Sequence, residues 1–99
     1  RIYLDFKVNG NWMGSVVKVS SEESVNILAE IKGTADLERI EIVAEGEVIK
    51  EYSYKDKFKQ EVVINYQDEP GSVRNYYYIR VIQKDYERAW SSPCFVKEE

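Results

Sequence analysis

Eighteen carboxylates, fourteen lysines and arginines, one cysteine and no histidine are the groups through which this 99-residue chain must act if it does chemistry. Without histidine, neither Ser-His-Asp nor Cys-His activation of a nucleophile is available. Histidine-based zinc and iron sites go with it, and Cys94 alone builds no thiolate site and no internal disulfide. Gly14-Ser15 and Gly71-Ser72 lie outside any Gly-x-Ser-x-Gly elbow, and no glycine loop is spaced to cradle phosphate. The acids cluster at Glu22-Glu23, Asp36 and Glu38, Glu41, Glu45 and Glu47, and Asp68-Glu69. A two-carboxylate hydrolase holds its acids about 5–9 Å apart in a cleft. The pattern places most of these acids at outward or loop positions, and Gln67 to Glu69 lacks the ordered ligand spacing of a calcium loop. The expectation is no catalytic residue, no metal ligand and no cofactor. Cys94, between Pro93 and Phe95, reads as a small core hydrophobe.

The aromatic residues carry more information. "YYYIRVIQKDYERAWSSPCFV", residues 76 to 96, holds three consecutive tyrosines and a Trp-Ser-Ser-Pro run. In a strand, Tyr77, Ile79 and Val81 share one face and Tyr76, Tyr78 and Arg80 the other. Ile79 and Val81 mark the buried face, so Tyr77 points inward, with its hydroxyl expected to bond back to loop backbone as in a tyrosine corner. Tyr76, Tyr78 and Arg80 then form an outward set. Cross-strand packing explains them, and so does a docking surface, because Tyr and Arg are enriched where proteins meet. Stacking against carbohydrate is a further reading. Trp90 reads as core or sandwich rim, and Pro93 as an edge-strand or bulge residue.

The elements that must position these groups follow from periodicity. Ile2, Leu4, Phe6 and Val8 alternate with Tyr3, Asp5 and Lys7, a strand with one buried face, and Asn9-Gly10 is a hairpin turn signal. Val16 to Val19 is a second short extended piece. Residues 20 to 33 carry two patterns. Ser20 with Glu23 resembles a capping box and Gly33 a helix C′ residue, giving a helix over about 22–32. Val25, Ile27, Ala29 and Ile31 instead alternate without a miss, and strand is the preferred reading. Two strands surround Glu45-Gly46, with Ile40 and Ile42 opposite Arg39 and Glu41. Phe58, Val62, Ile64 and Tyr66 share a face, Pro70-Gly71 marks a turn, and the tyrosine stretch supplies two strands joined near Asp85. About seven short strands at spacings of roughly 8–12 residues are the pattern of a β-sandwich.

The net charge of −4 argues against a binder of phosphate backbones, and no nucleic-acid partner is expected. Lys55, Lys57 and Lys59 read as a solvated strand edge. No apolar run reaches the roughly 18 residues of a membrane span. The chain begins at Arg1, which suggests a piece of something larger.

"YYYIRVIQKD" followed by "RAWSSPCFV" resembles the C-terminal Ig-like segment behind the catalytic domain of some PHP-type metal-dependent phosphoesterase-like proteins. There a Tyr-rich strand ending Arg-Val-x-Gln precedes a short turn and an Ala-Trp-Ser-Ser-Pro run, matched here by Ala89 to Pro93. "LERIEIVAEGEVI" is similar to their central hairpin and "VNGNWMG" to their entry into the module. One departure is Tyr86, where that family's hairpin turns on glycine. The resemblance implies strand over Val25 to Ile31. It also implies an accessory domain, residues 1–99, at the C-terminus of a larger protein, packing on the catalytic domain of the same chain or supporting a homo-oligomer. The family's metal-binding motifs have no counterpart in these residues. The expected fold is an all-β, Ig-like antiparallel sandwich of about seven strands, with an α+β domain as the alternative. Its expected core is Leu4, Phe6, Ile27, Ala29, Ile31, Ile40, Ile42, Val62, Ile64, Tyr77, Ile79, Val81 and Val96. A free-standing protein- or glycan-binding module at a cell surface is the competing functional expectation.

Overall fold

Strand periodicity organises the whole chain, which a computed structural model describes at residues 1–20, 22–69 and 74–99. Among the described residues ten strands follow one another: β1 (Tyr3–Val8), β2 (Asn11–Trp12), β3 (Val16–Val19), β4 (Val25–Lys32), β5 (Leu37–Ala44), β6 (Glu47–Ser53), β7 (Glu61–Asp68), β8 (Tyr76–Gln83), β9 (Arg88–Trp90) and β10 (Cys94–Glu98). They form a four-stranded sheet, β2-β1-β4-β7, and a six-stranded sheet, β3-β10-β8-β5-β6 with β9 also beside β8. The sheets face each other across one apolar layer, an Ig-like β-sandwich.

The count of seven holds once two interrupted strands are each taken as one. The first strand runs as β1 in one sheet, turns through β2, and resumes as β3 in the other sheet after Gly14, whose φ is 90°. The last strand runs as β9 and β10, both beside β8. Crossing between sheets brings β3 alongside β10 in parallel, the one departure from antiparallel pairing among the described strands.

The stretch with two readings is strand. In β4, Val25, Ile27, Ala29 and Ile31 are buried while Asn26, Leu28 and Lys32 are exposed. On a helix, residues two apart would fall on opposite sides, so only the pleat places all four in one core. Ser20 closes a turn instead of capping a helix: its carbonyl accepts the Glu23 amide at 3.1 Å and its hydroxyl the Glu22 amide at 3.3 Å. Gly33 serves close approach, not a helix end. A Cβ there would lie 2.7 Å from Gln83 Oε1 and 2.8 Å from the Ala35 carbonyl oxygen.

Asn9-Gly10 and Glu45-Gly46 are two-residue hairpin loops in which both residues have positive φ, the geometry of a type I′ turn. The Pro70-Gly71 turn signal lies outside the described residues. Every expected core residue is buried except Leu4 and Val62, which pack half-buried against the core; Val8, Val17, Val19, Val25, Leu37, Ala44 and Cys94 complete it. Phe58 does not join the Val62, Ile64 and Tyr66 face. It precedes β7 and stands 88% exposed, beneath the Lys84 ammonium at 5.0 Å. Lys55, Lys57 and Lys59 lie in the loop between β6 and β7 rather than on a strand edge. Among the described residues no helix is long and apolar enough to cross a membrane.

Candidate functional site: an aromatic groove on the outer sheet face

The outer face of the six-stranded sheet has an apolar layer of its own. Val43 and Ile82 are buried there, outside the core between the sheets. Tyr78 pairs with Val43 across β5 and β8, so the outward tyrosines cover buried aliphatic surface. Such cross-strand pairs contribute roughly 0.2–1 kcal/mol each.

Above this layer runs an open groove of about 450 Å³ lined by Tyr76, Tyr78, Trp90, Ser91, Pro93 and Phe95. Its shape comes from the interruption of the last strand. Phe95 pairs with Tyr76 and Trp90 with Arg80, so their side chains emerge on the tyrosine face at two levels of β8. Between them, residues 91 to 93 stand against only two residues of β8, and Ser91 keeps to the ladder, donating its amide to the Ile79 carbonyl at 2.9 Å and accepting the Ile79 amide on Oγ at 2.8 Å. Pro93, read as an edge-strand or bulge residue, has no N–H to leave unpaired in that gap. The Tyr76 and Tyr78 rings lie nearly parallel, 6.2 Å between centroids and 9° between planes. Trp90 is 58% and Phe95 47% exposed, so Trp90 is not a core residue.

Of the expected docking set, Tyr76 and Tyr78 meet in the groove. Arg80 shares the face but is committed elsewhere. Its Nε donates to Glu41 Oε1 at 2.6 Å, and Arg39 approaches the other Glu41 oxygen at 3.5 Å. Glu41 is only 6% exposed, and its hydrogen bond pushes the Arg80 guanidinium above its ordinary range. Arg80 therefore frames the groove and neutralises a covered carboxylate.

Tyr77 points inward as expected, but its hydroxyl bonds a side chain, not loop backbone. It donates to Asp68 Oδ2 at 2.5 Å, and Arg74 Nε donates to the same oxygen at 3.0 Å. Burial above all, and then the Asp68 hydrogen bond, push the phenol well above its ordinary 10.0. Asp68 is thus a covered partner of a core tyrosine, correcting its reading as a loop acid. A third polar cluster closes the β8–β9 hairpin. Gln83, 1% exposed, accepts the Thr34 amide at 2.8 Å and donates to Asp85 Oδ1 at 3.0 Å. That bond, with the Glu87 amide, holds the Asp85 carboxyl below its ordinary range. Tyr86, in the same turn, has a φ of 71°.

Among the described residues, no group of three or more His, Cys, Asp or Glu side chains is placed to hold a metal. Burial pushes the Cys94 thiol up, away from the reactive thiolate. Sequence reasoning missed Trp90, Phe95 and Ser91 as groove residues. The signal was present in the alternation of Phe95 with Cys94 and Val96, but the level at which each meets β8 depends on the bulge.

Fold and site together define an Ig-like β-sandwich module with an aromatic groove on one outer face. No family model matches the chain. A Chlamydia pneumoniae protein described as uncharacterized is 32% identical over 109 aligned residues, which take in 97% of this chain and 18% of that protein. The chain therefore spans less than a fifth of the length of this relative.

Proposed function

We propose that this chain is an accessory domain without catalysis of its own, one that is part of a larger protein and docks a partner through its outer aromatic face. The observation that carries the reading is the groove itself: four rings stand on the outside of a sheet whose core is already complete without them. Large uncovered aromatic patches mark interaction surfaces. Two covered acids support the same reading. Glu41 and Asp68 are tied to arginines and a phenol, an arrangement that stabilises a fold and offers no free base. Alignment of nearly the whole chain to a small part of a longer relative fits a module.

The larger protein's chemistry, on this proposal, is that of a PHP-type metal-dependent phosphoesterase-like domain in the same chain. The support is the resemblance over Tyr76 to Asp85 and Arg88 to Val96. The left-handed backbone at Tyr86, where that family has glycine, agrees with it. The test is the gene: the coding sequence upstream of Arg1 is expected to encode a barrel rich in histidine and acidic residues. An upstream sequence without such clusters overturns the catalytic assignment and leaves a protein- or glycan-binding module as the reading.

A further inference from the structure

The groove also indicates what occupies it. We infer that it binds an extended, proline-rich segment of a partner protein, with acidic residues on both sides of the prolines. The inference rests on the preceding reading only in taking the groove as a docking surface.

Three observations carry it. The first is hydrogen-bonding complementarity. The lining side chains carry four polar groups, the Tyr76 and Tyr78 hydroxyls, the Trp90 indole N–H and the Ser91 hydroxyl. The Ser91 oxygen is already engaged with the Ile79 amide. The rest is ring and aliphatic carbon beside donors. A polyproline II segment presents the converse: apolar rings, and carbonyls with no internal hydrogen bonds. Proline supplies no N–H that would need an acceptor. Aromatic-lined grooves are the recurring mode of polyproline recognition.

The second is length. From the Tyr76–Phe95 level to the Arg80–Trp90 level is four residues of β8, about 13 Å at roughly 3.3 Å per residue. Polyproline II rises about 3.1 Å per residue, so the groove seats about four residues.

The third is charge. The chain is net acidic at −4, yet exposed cations stand at both ends of the groove, alongside Glu45, which holds the Asn75 amide next to Tyr76, and Asp85 and Glu87, which share a cleft with Arg88 and Trp90. Lys18 and Lys97 pair directly across β3 and β10, one step beyond Phe95, and both are exposed. Like charges held opposite each other destabilise a sheet. Arg88 is exposed at the far end, one step beyond Trp90. None of the three has an ion-pair partner among the described residues. The two prolines of these 99 residues, Pro70 and Pro93, stand alone, so the occupant is not one of their own segments.

The test is selection by the intact 99-residue chain from a phage-displayed random dodecapeptide library, followed by titration of the selected peptides. Enriched peptides are expected to carry at least two prolines within four residues and Asp or Glu on both sides. Trp90→Ala and Tyr78→Ala are expected to weaken them more than 10-fold. The pair Lys18→Glu with Lys97→Glu should weaken them 3- to 10-fold and flatten the salt dependence. Trp90 and the lysines are exposed, so these variants keep the fold, checked by circular dichroism. Selection without proline enrichment overturns the inference, as do proline-rich peptides that bind Trp90→Ala equally well. So does a glycan, or a second copy of the chain, that occupies the groove in their place. These results leave the upstream gene sequence untouched, so failure here is distinct from failure of the catalytic assignment.

Discussion

The two outer faces of this sandwich treat their aromatic residues in opposite ways. On the four-stranded sheet, Lys7 Nζ sits 4.2 Å above the Trp12 ring and Lys32 Nζ 5.7 Å from that of Tyr3. Each ring carries the ammonium of a neighbouring lysine over its face. On the six-stranded sheet, the groove rings carry no such cover among the described residues, and the cations stand at the ends of the groove. Trp12 and Trp90 are nearly equally exposed, at 53% and 58%. Exposure alone does not separate them. What separates them is whether the protein supplies the ring's partner. A ring capped by its own lysine is a finished surface, whereas a row of uncapped rings between cations is built for something else.

Breaking the supports of the groove face gives the largest effects. Asp68→Ala strands the Tyr77 hydroxyl and the Arg74 guanidinium together and should destabilise the chain by about 2–3 kcal/mol, read as a lower urea midpoint. Arg80→Ala leaves a covered Glu41 with Arg39 alone, at an expected cost of about 2 kcal/mol in the same assay. Tyr77 adds a pH dependence. Because its folded pKa lies above the ordinary 10.0, its contribution is fully present below that pH. It is lost as pH rises further, since the unfolded phenol ionises first. Alkaline denaturation monitored by tyrosine absorbance should therefore begin above pH ~10 and weaken in slope in Tyr77→Phe.

These supports mark the boundary of what the sequence discloses. Alternation at Val25 to Ile31 and the turn pairs Asn9-Gly10 and Glu45-Gly46 are local, and each specifies its element without help. The outward pair Tyr76 and Tyr78 is likewise legible, because one strand's parity fixes it. The burial of Asp68 and Glu41 is not. It depends on Tyr77 and Arg80, nine and thirty-nine residues away. Trp90 joins the groove only because the bulge at residues 91 to 93 sets the level at which β9 and β10 meet β8. Register of that kind is a long-range property, and periodicity is silent on it.

Two smaller perturbations sharpen the contrast between the faces. Trp12→Ala should cost about 1 kcal/mol through loss of its lysine contact, whereas Trp90→Ala should cost less than about 0.5 kcal/mol by the same urea titration. Tyr86→Gly, at a φ of 71° and 86% exposure, should stabilise the hairpin by about 0.5 kcal/mol, visible as a small rise in Tm.

The two tryptophans, one on each outer face, allow the most direct measurement. In a proton–nitrogen correlation spectrum each indole N–H gives its own peak, assigned through Trp12→Phe and Trp90→Phe. Titration with the library-selected acidic, proline-rich peptides should move the Trp90 peak and leave the Trp12 peak in place. Movement of Trp12 instead, or equal movement of both, would contradict the assignment of the uncapped face as the docking surface.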